Sequence, residues 1–594
     1  MKLTAIALLL AVAQFAFGQN NPPTLEGRVL DKQSQPIPYA NIFNLSLKKG
    51  TISNQDGYFR IETSGKTKGD SLSISFVGFE TKFVVLRAGT GFSTVTLEES
   101  AQLLNEVVVT PKLNDYLFRL LADCKKKSSK AKVSGKAYYE LKTFQDTTQV
   151  ELVENFYNAT INGYDLHDLD MKTGRLALQP FGNRFFASLE SSTAIARLKL
   201  LDENPDYPSS PFKLTKRQMQ KKYYLHLEKK YLDENQDSIY IIDFEPVKNS
   251  GAFFEGTVWI NKSLSGVLKI NLRCDNCRIY PFRPIFPEDS IVGVGFNITK
   301  TFQQTTEGMA LKHVDFTYQA NYRSRIGTDH EASYTVKSNA ILYVYGLGQQ
   351  FDLPIFDVSP TVLKSQDYRS ISARPYNDFF WKNNDEYRLN EQKNGNAQFF
   401  DDPNSLTNKT AFKKGTQIKG PGLFEHPFVF WSNNRVKFRE VVEDTTQASG
   451  TQNPSNEPFN LSVKTFVDIN TYQGRTDIQT ATIFDPYESY YYLPMDSKAL
   501  CFINLFFDVC EIERRNLEAT LKAASNDPTK LRALAKQGLK DIELKKREFV
   551  QAVKRGTNEE EVTKWNGYVK SQLGIDNMAI FKPFEKKKEK DEGQ

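Results

Sequence analysis

Residues 24–62 read TLEGRVLDKQSQPIPYANIFNLSLKKGTISNQDGYFRIE, and the fold class turns on how this stretch is read. Short runs in which apolar and polar residues alternate, Glu26–Leu30, Ala40–Asn44 and Tyr58–Glu62, are separated by turn-forming residues. The rhythm continues through Ser71–Phe76, Thr81–Leu86 and Ser93–Leu97. Alternation of period two places every second side chain on one face, so these runs predict a small antiparallel β-sandwich. Gly50, Gly57, Gly69 and Gly78 fall at the breaks, where turning favours glycine, and Pro36-Ile37-Pro38 forces an extended segment.

Outward from this stretch the bias persists. Aromatic residues make up 12% of the chain, with 43 Phe and 27 Tyr against 4 Trp, a usage that leans toward sheet. A length of 594 residues predicts several domains, and 40% hydrophobic with 25% charged residues excludes wholesale disorder, a collagen-like chain or a disulfide-dense scaffold. Lys and Arg number 77 against 71 Asp and Glu, a net charge of +6 that implies no nucleic-acid partner.

Residues Met1 to Gly18 read as a secretory signal peptide: Lys2 is the positive start, Leu3 to Phe17 the apolar run, and Ala16-Phe17-Gly18 the small-residue cleavage region. The mature chain is expected to begin at Gln19. The run is short for a spanning helix, and no Cys follows the cleavage region as it would in a lipoprotein. Five cysteines are few for an exported chain. Cys274-Asp275-Asn276-Cys277 could be a redox centre or half of a zinc site, but it lacks a second CxxC or His pair, so a structural disulfide at a sheet turn is expected. Cys501 and Cys510 lie on opposite faces of an expected helix and cannot bridge one another there.

The first segment resembles the carboxypeptidase regulatory-like domain, a transthyretin-like sandwich. The resemblance rests on Gly27-Arg28-Val29-Leu30-Asp31, Pro36-Ile37-Pro38-Tyr39-Ala40-Asn41-Ile42, Gly50-Thr51, Asp56-Gly57-Tyr58-Phe59-Arg60-Ile61, and Gly69-Asp70-Ser71-Leu72 leading to Phe76-Val77-Gly78-Phe79. Gln35 stands where the family often has Gly or Asn. The resemblance implies a non-catalytic module, common at the N-terminus of bacterial envelope proteins and outer-membrane transporters. Next, Leu104-Asn105-Glu106-Val107-Val108-Val109-Thr110 is similar to the stretch that follows this domain in TonB-dependent transporters, where it can add a strand to TonB. The plainer expectation is a last strand or linker, since no transporter plug pattern follows.

Between 111 and 360 a short helix is expected from about Asn114 to the basic run Lys125-Lys126-Lys127. Long antiparallel strands are then expected from Tyr138 onward, among them Ser238–Phe244, Phe254–Ile260, Gly266–Leu272, Ile291–Phe302, Val314–Tyr322 and Ala340–Tyr345. The hairpin from Gly256 to Ile270 is similar to those of periplasmic lipoprotein-carrier-like half barrels, which implies a concave apolar sheet able to hold an acyl chain or a partner strand. An outer-membrane barrel is the competing expectation. It is disfavoured by irregular spacing, by the charged stretches Lys216–Lys222 and Lys229–Glu234, and by the helical end of the chain.

Residues 361–457 read as an irregular, aromatic-rich segment and linker. Asn383 to Lys419 is a polar excursion, Pro421–Phe438 a packed element with Phe424, His426, Phe428, Phe430 and Trp431, and Glu443 to Glu457 a linker. Residues 458–594 read as an α+β region: strands Leu461–Asn470 and Asp477–Phe484, a helix over Ser497–Ala524, a second opened by Asp527-Pro528, a third opened by a Thr557/Glu560 capping box, and a charged tail from Lys582 to Glu592. The helix around Phe507-Asp508-Val509-Cys510-Glu511 resembles the active helix of a zinc-peptidase-like family. Where that family has HExxH this chain has Phe502-Ile503-Asn504-Leu505-Phe506, so both ligands and the base are missing.

Chemistry elsewhere is sparse. The histidines His167, His226, His313, His330 and His426 form no HxH or HxxxH, and Asp165, His167, Asp168 and Asp170 are expected in a solvated acidic loop, with metal binding the sharper alternative. No GxSxG, Walker or Rossmann signature occurs in strand–helix context. The expectation is a multidomain, mainly β protein: an N-terminal β-sandwich (24–110), a central antiparallel β domain (111–360) and a helical C-terminal region. It is expected to be non-enzymatic, with no catalytic residue, cofactor or metal assigned. It would bind or scaffold an outer-membrane or periplasmic protein on the periplasmic side of the outer membrane, with a lipid or acyl chain as another possible ligand. The alternatives are a periplasmic hydrolase with a site dispersed in sequence, and a TonB-coupled accessory acting through Glu106, Val107, Val108 and Val109.

Overall fold

A computed structural model gives the architecture. It describes residues 23–585 apart from 55, 65–68, 87–92, 101–110, 129–130, 182–183, 186–191, 203–204, 234, 285–288, 326–330, 357–366, 385–389, 409–427, 433, 439–457, 473 and 525–526. The signal peptide, Glu106–Val109, His330, His426, the 443–457 linker and the end of the tail lie outside the described residues. The chain divides into two compact units, one of 1–107 with 229–240 and 385–394, the other of the remainder.

In the first unit seven strands form two sheets: β1 (Thr24–Leu30), β2 (Asn41–Asn44), β3 (Lys49–Ile52), β4 (Tyr58–Glu62), β5 (Ser71–Ser75), β6 (Lys82–Val85) and β7 (Ser93–Thr96). Their orders are β4-β1-β7 and β3-β2-β5-β6. Alternate residues such as Leu25, Val29, Ile42, Phe59, Ile61 and Ile74 are buried in one core, as period two requires. Two expectations are corrected. The sandwich is not wholly antiparallel, because β1 pairs with β7 in parallel. Gly50 is no break, because it lies inside β3 and pairs with Phe43. Gly57, at φ +80°, does occupy the left-handed region that glycine tolerates.

From Lys132 onward the chain is organised by a large sheet. Its strands are β8 (Lys132–Gln145), β9 (Thr148–Asn162), β10 (Asp165–Leu178), β11 (Tyr223–Leu232), β12 (Ser238–Pro246), β13 (Glu255–Asn261), β14 (Gly266–Cys277), β15 (Ser290–Thr305), β16 (Gly308–Arg325), β17 (Glu331–Tyr345) and β18 (Leu406–Thr407). The order is β11-β12-β13-β14-β15-β16-β17-β8-β9-β10-β18. The β13–β17 hairpins run antiparallel, and β17 meets β8 in antiparallel register, Val336 opposite Gln145. Among the described residues nothing pairs the two ends of this order, so the sheet is open.

β9 is buried on both faces from Val150 to Ala159, so its polar residues must find partners inside. Helices α1 (Pro111–Lys126), α2 (Ser192–Arg197), α3 (Lys216–Lys222), α4 (Asp367–Ser372), α5 (Asp378–Asn383) and α6 (Asn390–Asp401) accompany the sheet. Of the two charged stretches expected to separate strands, the first does so as a helix and the second in part continues a strand. Lys216–Lys222 is α3, with a Thr215/Gln218 capping box, and the residues around Lys229 continue β11. The segment 361–457 contributes α4 and strand β18, which pairs with β10.

The C-terminal part packs β19 (Val429–Phe430), β20 (Val463–Tyr472) and β21 (Arg475–Phe484), in the order β19-β21-β20, against α7 (Ser497–Ala523), α8 (Pro528–Val553), α9 (Glu559–Leu573) and α10 (Asn577–Phe581). Asp527 caps α8 through Thr529 N, with Pro528 at its first position. The start of α9 is corrected. Asn558, not Thr557, is the cap and takes Glu561 N. Phe502, Phe506, Phe549 and Trp565 share one core, and among the described residues no helix is long and apolar enough to cross a membrane.

Candidate functional site

Most buried ionisable groups in the second unit hold elements together. Lys172 on β10, 2% exposed, donates to Asp468 Oδ1 on β20 at 2.5 Å, and Asp468 Oδ2 also accepts from Asn377 (3.1 Å) and Asn470 (3.0 Å). Burial lowers the Lys172 pKa, and Asp468 opposes that shift. Asp367 on α4 accepts from Tyr157 (2.9 Å), Ser192 Oγ (2.8 Å) and Ser192 N (2.9 Å). No histidine joins Ser192 among these contacts, so the arrangement ties α2 and α4 to β9. Arg175 donates to Glu154 and stacks 4.5 Å from the Trp381 ring. On α7, Asp508 is fully buried and takes Trp431 (2.8 Å), Arg435 (2.7 Å) and Asn577 (2.6 Å). Asn504 clasps both backbone groups of Val436. The described residues of the aromatic segment, between Phe428 and Phe438, thus pack into the fold.

The residues singled out in sequence separate in space. Asp165, His167, Asp168 and Asp170 lie in β10 and not in a loop. Asp165 is buried and accepts from Lys300 (2.9 Å) and Leu200 N (2.7 Å), while His167 sits 2.9 Å from Lys132 Nζ. Among the described residues no three His, Cys, Asp or Glu side chains are grouped to hold a metal ion. His313 is 1% exposed and its pKa is pushed down to about 3 by burial, then by Lys312 and Lys269, so it is neutral at pH 7 and shut away from solvent. His226 is exposed on β11. Cys274 and Cys277, at the end of β14, are joined as a disulfide. Phe502, Ile503 and Phe506 are core residues of α7. Cys501 and Cys510 are buried free thiols, each pushed up to about 12 by burial.

The feature with the character of a binding site is a groove of about 1020 Å³ between the edge of β20 and helix α8. Its floor is apolar: Leu461, Val463, Phe506, Leu539 and Val550, with Leu544 exposed at the mouth. Its rim is mostly cationic. Lys464 is engaged by Asp485 (3.3 Å) and Glu488 (2.7 Å), and Lys546 by Glu543. Lys540 and Arg547 lie two turns apart on α8, and among the described residues neither meets a carboxylate. Sequence reading missed this groove because it joins residues about 80 positions apart. The only local signal was the apolar stripe of α8 carrying basic neighbours.

Residues 25–109 match the family model of the CarboxypepD_reg-like domain. No curated protein matches the chain. Solved structures give weak likenesses. A LolA superfamily protein from Nitrosomonas europaea is 12% identical, covering 44% of this chain and all of its own, at a TM-score of 0.16. MucB is 10% identical over 39% of this chain and 94% of its own, at 0.16. The MucA/MucB complex of Pseudomonas aeruginosa gives 9% identity over 38% and 92%, at 0.15. Overlaps of this size establish neither a shared fold nor a shared function.

Proposed function

We propose that this chain is a non-enzymatic binding or scaffold protein of the cell envelope, an accessory subunit on the periplasmic side of the outer membrane. The observation that carries the reading is the groove between β20 and α8, an apolar floor under a mostly cationic rim. Apolar area with a few placed polar groups is what a binding cleft needs. Two features of the sequence support the setting: the apolar leader Met1 to Gly18, and the match of residues 25–109 to a module whose family resemblance implies no catalysis. The buried Asp367, Glu154 and Asp508 contacts support a stable platform in place of an acid–base site.

The test is purification of a tagged full chain from envelopes in mild detergent. Stoichiometric recovery with an envelope protein is expected. Recovery of the chain alone in the soluble periplasmic fraction, or turnover of an ester, peptide or glycoside substrate that scales with the protein, would overturn the reading.

A further inference from the structure

We propose that the groove between β20 and α8 takes an extended peptide segment of a partner protein, β-branched at its centre and acidic at its flanks, which adds to the edge of β20 at Val463 and Thr465. The inference rests on the binding reading above and names the occupant.

Three observations converge on a peptide. The first is the edge itself. β20 is the last strand of its sheet, and Ile355 already bridges it antiparallel, with Ile355 N to Val467 O at 2.8 Å and Val467 N to Ile355 O at 3.1 Å. Val467 therefore turns its backbone groups away from β21. Strand alternation turns those of Thr465 and Val463 the same way, toward the groove. Lys546 Nζ caps the Val463 carbonyl, and among the described residues nothing meets the backbone of Thr465 on that side.

The second is the Thr465 side chain. It lines the groove, is 8% exposed, and its Oγ1 finds no partner among the described residues. A buried hydroxyl without a partner is costly, and an acyl chain cannot satisfy it, whereas a peptide N–H or C=O can. The third is charge. Lys540 and Arg547 stand over an apolar floor without carboxylate partners among the described residues, which suits acidic residues on either side of an apolar centre.

The probe is a fluorescein-labelled octapeptide, Glu-Glu-Val-Thr-Val-Val-Glu-Glu, titrated with the full chain by fluorescence anisotropy. Its counterpart, with Lys in place of every Glu, and oleate are measured alongside. The acidic peptide is expected to bind saturably and at least tenfold more tightly than the basic one. K540E/R547E should weaken it at least tenfold while leaving the thermal midpoint unchanged, because both residues are exposed. Thr465→Val should weaken it about three- to tenfold. Amide exchange at Val463 and Thr465 should slow when the peptide is added.

Equal binding of both peptides, no saturable binding of the acidic one, or binding of oleate in its place would overturn the inference. So would full protection of Val463 and Thr465 in the free chain, which would mean that the protein's own residues cover the edge. Failure here is distinguishable from failure of the broader reading. If K540E/R547E still co-purifies with an envelope protein, the peptide groove falls and the binding role stands. If neither form recovers a partner, the binding role falls.

Discussion

Replacing Asp468 by Ala removes the acceptor that links β10, β20 and the start of α5. Asp468 is 1% exposed and takes bonds from Lys172, Asn377 and Asn470, so the substitution leaves Lys172 inside the protein with the Asp352 carbonyl as its remaining oxygen partner among these contacts. Breaking one side of a buried ion pair costs about 3–5 kcal/mol, because the surviving charge is not compensated. The loss carries a pH signature. The Lys172 pKa is already lowered by burial, with Asp468 opposing the shift, so D468A lowers it further. Between the folded and unfolded pKa values the unfolded chain binds more protons, so the stability of the variant rises with pH in that window, by up to about 1.4 kcal/mol per unit.

Urea titrations followed by the buried Trp381, at pH 7 and pH 9.5, measure both effects. K172M/D468A should recover roughly 2 kcal/mol of the single variant's loss, because no orphaned ammonium remains. A D468A deficit below about 1 kcal/mol, unchanged between the two pH values, would refute the reasoning.

Gly174 on β10 faces Asn155 Oδ1 and Ile371 Cγ1, which an added Cβ would approach to 2.2 Å and 2.6 Å, so Gly174→Ala should destabilise by about 1–3 kcal/mol in the same titration. His313 has a folded pKa of about 3 against 6.5 when unfolded, so its contribution is present above 6.5 and is lost as pH falls toward 3. His313→Leu should therefore be spared roughly 2 kcal/mol of the wild type's acid loss between pH 6.5 and 4.5, and identical acid limbs would rule this out. Cys124, Cys501 and Cys510 are buried and each is pushed up to about 12, so DTNB should find no fast-reacting thiol in the native chain and three after urea, with five only after reduction. A thiol that reacts within seconds in the native protein would contradict this burial.

The sandwich was legible because each strand buries one face and ends at a turn, so Val29, Ile42, Phe59 and Ile74 fall on every second position. The parallel β1–β7 pair was not, since alternation is blind to strand direction. Strands β8 to β10 escaped a bounded assignment for a different reason. Both faces of β9 are buried, and Glu151, Glu154, Asn155 and Asn158 sit inside among Leu152, Val153, Phe156 and Tyr157. Such a run has neither period two nor uniform apolarity, and its polar members are intelligible only with partners such as Tyr368, Arg175 and the Phe351 backbone, each distant in sequence or on another strand. Asp165 looked solvated for the same reason, since its partner Lys300 lies 135 residues away, whereas His167 and Asp170 are exposed as expected. The groove has the same origin, joining Val463 and Thr465 to Leu539 and Val550. What α7 shows locally, an apolar face with no ligand at 502 or 506, could be read directly and is a core in the fold.

The most direct measurement is amide hydrogen exchange on the chain alone and on the complex recovered with it from the envelope. Slowed exchange at Val463 and Thr465 of the β20 edge and in 539–551 of α8 is the predicted result, because that groove is where the partner is expected to lie. Unchanged exchange there, with protection confined to another surface such as the exposed edge at Phe83 and Val85, would contradict the account.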